Sequence, residues 1–188
     1  MNLPNRLTLL RICLVPVCIL LLLWEGMPHH NLLALLAFAV AALTDLFDGK
    51  IARNRNLVTN FGKLLDPLAD KMLVTSVLIC FVELNLASSV VVVIIVAREF
   101  LVTSLRLVAM ESGKVIAASY WGKVKTVTQM VAIVVVLCIQ ELLVLFPGLS
   151  ASSIVWVGDL LLWLSAVATL VSGVNYLWQN RECIGGAS

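Results

Sequence analysis

The chain has 188 residues, of which 61% are hydrophobic and only 13% are charged, and its mean hydropathy is +1.05. Soluble domains average about 45–50% apolar and about 25% charged residues, so this composition excludes an ordinary soluble protein and predicts an integral membrane protein. The net charge of +2 is uninformative as a total, and we expect no nucleic-acid partner.

Apolar segments between polar clusters predict an all-α polytopic membrane protein that forms one domain over residues 1–188. A helix needs about 20 mostly apolar residues to cross the hydrocarbon core of a bilayer. Six segments meet this requirement, at approximately 8–25, 31–48, 66–83, 87–108, 124–146 and 152–178. A basic start before an apolar run could instead be a signal peptide, but no small-x-small cleavage site follows Glu25.

The placement of basic residues predicts the topology. The loops 25–31, 83–88 and 140–152 contain none of the 13 Lys and Arg residues but carry Glu25, Glu83 and Glu141. The positive-inside rule then places both termini and the other loops in the cytoplasm. Arg6 and Arg11 are expected at the membrane interface.

Four of the eleven acidic residues lie between Asp45 and Asp70, at the ends of two apolar segments. Carboxylates beside a bilayer are costly and indicate function. On a helix, Asp45 and Asp48 lie about 60° apart and share a face with Gly49 and Ala52, while Asp66 and Asp70 share a second face. Residues 54–62 are expected to form a turn that folds one face onto the other.

Oxygen ligands without His or Cys favour a hard cation, Mg²⁺ or Mn²⁺, and two such ions are a known arrangement in phosphoryl transfer. Each aspartate also has a structural interpretation. Asp66 before Pro67 could cap a helix, Asp48-Gly49 could form a turn, and Asp45 could pair with Arg53. All four aspartates at this spacing favour the metal site.

The stretch resembles the signature of the CDP-alcohol phosphotransferase family, Asp-x2-Asp-Gly-x2-Ala-Arg-x8-Gly-x3-Asp-x3-Asp, with every fixed position occupied. That resemblance implies six transmembrane helices, a short N-terminal interfacial helix and a homodimer. It also implies transfer of a phosphatidyl or related group from a CDP-activated donor to an alcohol, with release of CMP.

The resemblance implies a role for each residue of the signature. Asp45, Asp48 and Asp66 would bind two divalent cations, Asp66 would bridge them, and Asp70 would be the general base and a further ligand. The residues that would contact the CDP part of the donor are Asp45, Asp48, Gly49, Arg53 and Gly62. We add Thr59 to the donor site by its position, although the sequence leaves open the roles of Thr59 and Lys63.

A phosphate-bearing acceptor is expected from basic residues outside the signature. Arg98, Glu99 and Arg106 share one arc of the fourth apolar segment, and Lys123 and Lys125 begin the fifth. The alternative is that these lysines extend to the interface and that Arg98 forms a structural pair with Glu99. These stretches, together with Asn2–Arg11, resemble the bacterial branch of the family that uses CDP-diacylglycerol and glycerol 3-phosphate.

Three rival functions remain at this stage. The first is the same chemistry with inositol phosphate, serine or an amino alcohol as acceptor. The second is a membrane prenyltransferase with metal-binding aspartates, although Gly49, Ala52 and Arg53 do not suit that pattern. The third is an ion carrier, which would place acidic groups along a path through the bilayer, whereas here the four aspartates lie at one end and only Asp159 lies towards the other.

Overall fold

The computed structural model describes residues 3–24, 26–55, 60–111, 120–150 and 154–179; the side chains of residues 3–7, 45–55, 60–68, 70, 108, 110 and 111 lie outside that description. These described residues form six α-helices and no strand, which confirms the all-α prediction. The helices are α1 (Leu3–Leu23), α2 (His30–Arg55), α3 (Asn60–Glu83), α4 (Ser89–Glu111), α5 (Tyr120–Leu145) and α6 (Val155–Gln179).

Two of the described helices, α5 and α6, are long and apolar enough to cross a membrane by length and composition. Shorter apolar stretches occupy Thr8–Leu23 in α1 and His30–Thr44 in α2. Helix α4 contains Arg98, Glu99 and Arg106 within its length, and such charges lower the apolar character of a segment even where they face the protein interior. The expectation of six membrane spans therefore stays a prediction.

The helices extend further than the apolar segments do. Helix α1 is continuous from Leu3, so the expected interfacial helix and first span form a single element. Residues 54–55 end α2 and residues 60–62 begin α3, so the predicted turn over 54–62 was too long. The connection that remains, 56–59, lies outside the described residues. The apolar pattern ends at the first charges, whereas helical hydrogen bonds form equally well between polar residues.

The helices pack as two groups around a shared core. Helix α1 contacts both α2 and α3, while α6 contacts both α4 and α5; contacts between α2 and α5 and between α3 and α4 join the groups. Buried apolar side chains from all six described helices form one cluster. It includes Leu22, Phe38, Phe81, Leu137 and Leu162, each of them fully buried.

An asparagine ends α3 in a left-handed conformation. Asn85 has φ 56°, the Leu86 amide donates to the Phe81 carbonyl (2.7 Å), and the Asn85 amide donates to the Val82 carbonyl (3.1 Å). This is the Schellman arrangement, which satisfies the last carbonyls of a helix. It fixes the direction in which the chain leaves α3 for α4.

Glu141 anchors the start of α2 from a neighbouring helix. The sequence placed this residue in a loop, but α5 continues to Leu145 and Glu141 is only 6% exposed. Its Oε2 accepts a hydrogen bond from the Leu32 amide (3.2 Å), and its Oε1 contacts His29 Nδ1. A carboxylate here satisfies a free amide and complements the positive end of the helix dipole. The helix that carries Asp45 and Asp48 is thereby fixed at its opposite end.

Candidate active site

The two aspartate pairs lie on consecutive helices at similar distances from their connection. Asp48 lies seven residues before the end of α2, and Asp66 lies six residues after the start of α3. Both positions are therefore about two turns, roughly 10 Å, from residues 56–59 along the helix axes. The backbone places the four carboxyl-bearing residues at one end of the bundle, while their side chains lie outside the described ones.

The helix bounds remove two of the structural interpretations of the aspartates. Helix α3 begins at Asn60, so Asp66 is inside the helix and is not its N-cap. Asp48 and Gly49 lie inside α2, so they do not form a turn. The assumption behind the two carboxylate faces, that each pair lies on a helix, is confirmed.

The donor set of the stretch fits hard divalent cations. Asp45, Asp48, Asp66 and Asp70 offer only carboxylate oxygens, the ligands that Mg²⁺ and Mn²⁺ prefer. Among the side chains that the structure describes, no group of three His, Cys, Asp or Glu residues could hold a metal ion. The aspartate stretch thus remains the candidate metal site. The expected donor contacts from Gly49, Arg53 and Gly62 lie outside the described side chains, and Thr59 lies outside the described residues altogether.

A cavity of about 60 Å³ lies between α3, α4 and α5, beside the aspartate stretch. Its wall combines charged, polar and apolar groups, contributed by Lys71, Val74, Thr75, Glu99, Lys125, Thr126, Gln129 and Met130. Lys71 follows Asp70 directly in α3. The wall of the cavity therefore begins at the residue that directly follows the expected general base.

Glu99 holds two cations together at the wall of this cavity. Its Oε1 accepts hydrogen bonds from Lys125 Nζ and from Arg98 Nη1, the latter at 3.0 Å. Lys125 is only 6% exposed, so its ammonium does not extend to the membrane interface as the alternative interpretation required. A single carboxylate shared by two cations leaves positive charge in excess.

Lys71 is tied to the same helix through a threonine. Lys71 Nζ donates to Thr103 Oγ1, and this hydroxyl donates to the Glu99 carbonyl at 2.7 Å. The link fixes the Lys71 ammonium against α4, close to the carboxylate that binds Lys125. Three cationic side chains, Lys71, Arg98 and Lys125, thus surround Glu99.

Arg98 is held from the other side by α6. Its Nη2 donates to Ser172 Oγ at 2.7 Å, and Ser172 is fully buried. A Cβ added at Gly173 would lie 3.0 Å from Arg98 Cγ, so the absence of a side chain there makes room for the arginine stem. The pairing of Arg98 with Glu99, which the alternative interpretation included, is confirmed, and Ser172 of α6 is a second partner that local spacing does not predict.

The other two residues expected at the acceptor site lie elsewhere. Arg106 and Lys123 are exposed, and neither lines the cavity; Arg98 does not line it either, but it binds Glu99, which does. Arg106 is two turns beyond Arg98 along α4, so helix angle alone could not distinguish the largely buried Arg98 from the exposed Arg106.

The sequence did not predict the positions of two residues, Lys71 and Arg11. From the sequence, Lys71 is no more than a charge next to Asp70, yet it lines the cavity. Arg11 was expected at the interface, yet it is 0% exposed. A usable signal existed for Arg11, because it lies on the same helical face as Val15, Cys18 and Leu22, the buried face of α1.

Comparison with known proteins agrees with these features. Residues 1–171 match the family described as CDP-alcohol phosphatidyltransferase. The chain is 42% identical to a Bacillus subtilis (strain 168) protein over 97% of each chain, and 40% identical to a Rickettsia bellii protein over 93% of each. It is 37% identical to an Escherichia coli K12 protein, over 96% of this chain and 95% of that one. All three relatives are named CDP-diacylglycerol–glycerol-3-phosphate 3-phosphatidyltransferase.

Proposed function

Because the chain belongs to the CDP-alcohol phosphatidyltransferase family, we propose that it transfers a phosphatidyl group from CDP-diacylglycerol to sn-glycerol 3-phosphate. The products are phosphatidylglycerophosphate, a precursor of phosphatidylglycerol, and CMP. The names of the relatives support this choice of donor and acceptor. The observation that carries it in this molecule is the cationic cavity that begins one residue after Asp70.

The net charge of the cavity suits an acceptor that bears its own phosphate. The cavity lining contains Lys71, Lys125 and Glu99, and Arg98 binds Glu99 without lining the cavity; together these four groups leave two net positive charges. A phosphate monoester carries about −1.5 to −2 charges at neutral pH, so glycerol 3-phosphate would balance them. Serine, with no phosphate, would leave the charge unbalanced. In this proposal the exposed Arg106 and Lys123 add positive charge for acceptor binding.

Asp70 is the proposed general base. An alcohol is a weak nucleophile and needs a base within about 2.6–3.2 Å of its proton. The proton of the free primary hydroxyl passes to Asp70 while the hydroxyl oxygen attacks the phosphorus that carries diacylglycerol. A new P–O bond forms to glycerol 3-phosphate, and the P–O bond to CMP breaks.

Asp45, Asp48, Asp66 and Asp70 are the proposed ligands of two divalent cations, Mg²⁺ or Mn²⁺. The family generally depends on divalent cations, and such ions would neutralise the diphosphate of the donor. Gly49 leaves room for the donor close to α2, and Arg53 adds a fixed positive charge for phosphate oxygens. Gly62 and Thr59 complete the proposed CDP site.

The proposed setting is the cytoplasmic membrane of a bacterium, with six spans, a single domain over residues 1–188 and both termini in the cytoplasm. The distribution of basic residues supports this topology. The lipid donor would reach the aspartates sideways from the bilayer, and the soluble acceptor would enter from the cytoplasm. We further propose a homodimer, as the family resemblance implies.

A reconstituted assay tests the proposed reaction. Purified protein is mixed with CDP-diacylglycerol and Mg²⁺ or Mn²⁺, and CMP release is measured with glycerol 3-phosphate, inositol phosphate, serine or an amino alcohol. We expect CMP release with glycerol 3-phosphate and with none of the other acceptors. Release should be lost when the metal is removed and in the Asp70→Asn variant. Absence of release with glycerol 3-phosphate in several detergents and in liposomes would refute the proposal. Release with another acceptor alone would replace the acceptor and keep the chemistry.

A further inference from the structure

Arg11 is a buried charge whose position the proposed reaction does not explain. It is the largest of the fully buried side chains that the structure describes, with 0% of its surface exposed. A guanidinium keeps its charge inside a protein, and a buried charge is tolerated only when an opposite charge and hydrogen bonds compensate it. The identity of the opposite charge follows from the packing of α1.

The buried faces of α1 and α2 set the level of Arg11 in the bundle. Cys18 Sγ lies 3.7 Å from the Ala34 carbonyl oxygen and donates to it, so these two residues mark one level of the antiparallel pair. Seven residues, or about 10 Å, separate Cys18 from Arg11 along α1, and the same number separates Ala34 from Ala41 along α2. Arg11 is therefore level with Ala41, and Asp45 is one helical turn further along α2.

Helix α3 brings a second aspartate to the same end. After α2, α3 is the helix that α1 contacts most extensively. The buried face of α3 includes Ala69, Leu73 and Val77, and it runs away from the connection that follows α2. Asp70 therefore lies at the same end of the bundle as Asp45.

The acidic residues that the structure describes outside this end are engaged or distant. Glu99 binds Arg98 and Lys125, and Glu141 binds the start of α2. Glu83 ends α3 and Asp159 lies in the first turns of α6, so both lie at the opposite end of the bundle from the aspartate stretch. Glu111 ends α4 at the same end of the bundle, but α1 packs on α2 and α3, so the acidic residues at that end of its neighbouring helices are those of the aspartate stretch.

We propose that Arg11 is the fixed counter-charge of the aspartate cluster, a positioning residue that keeps the carboxylates together before the cations bind. The inference rests on the proposed metal site. Carboxylates that bind the same ions repel one another before the ions arrive, and a cation held by α1 at their end of the bundle would reduce this repulsion. The same cation opposes the binding of divalent ions, so its removal has opposite effects on folding and on metal binding.

Arg11→Gln is the decisive variant, and Arg11→Lys is its charge-conserving control. Binding of Mn²⁺ to the purified protein is measured by electron paramagnetic resonance at pH 8. Thermal unfolding is followed without Mg²⁺ and with about 5 mM Mg²⁺, which is enough to occupy a site with a millimolar dissociation constant. In Arg11→Gln we expect the Mn²⁺ dissociation constant to fall roughly three- to tenfold. We also expect a lower unfolding temperature without Mg²⁺ and a larger recovery on its addition. Arg11→Lys should stay within about twofold of the parent constant.

Asp45→Asn separates failure of this inference from failure of the metal site. If Asp45→Asn does not weaken Mn²⁺ binding, the proposed metal site is wrong. If it weakens binding while Arg11→Gln leaves the Mn²⁺ constant and the Mg²⁺ response unchanged, the site stands and the role of Arg11 is wrong. Should Arg11→Gln be too unstable to purify, the double variant with Asp45→Asn tests the pairing. Recovery of folded protein supports the inference, and no recovery overturns it.

Discussion

Lys125→Gln tests the cationic cavity most directly. Lys125 is 6% exposed and its ammonium binds Glu99 at the cavity wall. Glutamine keeps most of the stem and a hydrogen-bond donor but removes the charge that we assign to the acceptor phosphate. Lys125→Arg keeps the charge and is the matched control.

The magnitude follows from the kind of contact that is lost. A hydrogen bond to a charged group contributes about 1.5–3 kcal/mol, and about 1.4 kcal/mol corresponds to tenfold in a binding constant. The KM for glycerol 3-phosphate should therefore rise roughly 10- to 100-fold in Lys125→Gln. The KM for CDP-diacylglycerol should stay within about twofold, because the donor is assigned to the other side of Asp70.

Initial rates of CMP release, with each substrate varied in turn, measure both constants. Lys123→Gln provides a graded comparison on the same helix. Its ammonium is exposed, so water screens it and the KM for glycerol 3-phosphate should rise less than about threefold. The cavity would have to be reassigned to the donor if Lys125→Gln raised the KM for CDP-diacylglycerol and left that for glycerol 3-phosphate unchanged.

Three further predictions concern the general base Asp70, the packing of Arg98 against Gly173, and the hydrogen bond from Glu141 to the start of α2. Asp70→Asn should lower kcat by roughly 10²- to 10⁴-fold without loss of folded protein, and a smaller loss would argue against a general base. Gly173→Ala places a methyl group 3.0 Å from Arg98 Cγ, and Gly158→Ala places one 3.0 Å from a valine methyl. Both should destabilise the fold, but only Gly173→Ala should raise the KM for glycerol 3-phosphate; equal kinetics in the two variants would contradict the role of Arg98. Glu141→Gln should cost about 1–2 kcal/mol of stability, seen as a lower unfolding temperature, with both KM values unchanged.

The sequence alone predicted the all-α architecture and the helical placement of the four aspartates. Apolar segments predicted the number of helices in the described part of the chain, because each helix must cover its polar backbone with apolar side chains. The spacing of Asp45, Asp48, Asp66 and Asp70 predicted two helical faces, and the structure confirms that each pair lies within a helix. Helix ends were less well predicted, since the backbone of α2 and α3 stays helical well beyond the apolar residues.

The sequence did not predict the contacts between helices. Helical periodicity tells which residues of one helix share a face, but not which face of another helix they meet. Arg98 and Arg106 share an arc of α4, yet only Arg98 reaches Ser172 in α6 and binds Glu99, which lines the cavity. Lys71 and Arg11 acquired their importance in the same way, from neighbours distant in the chain.

Composition and local spacing determined the membrane character, the helical class and the aspartate stretch, because these depend on residues within one or two turns of each other. The tertiary structure alone decided that Lys71, Glu99 and Lys125 meet at one cavity and that Arg11 is buried level with the aspartate end of the bundle. The physical reason is that packing against distant helices selects, from several equivalent polar residues on a helix, the one that is desolvated. That choice depends on the register between helices, which no single helix contains.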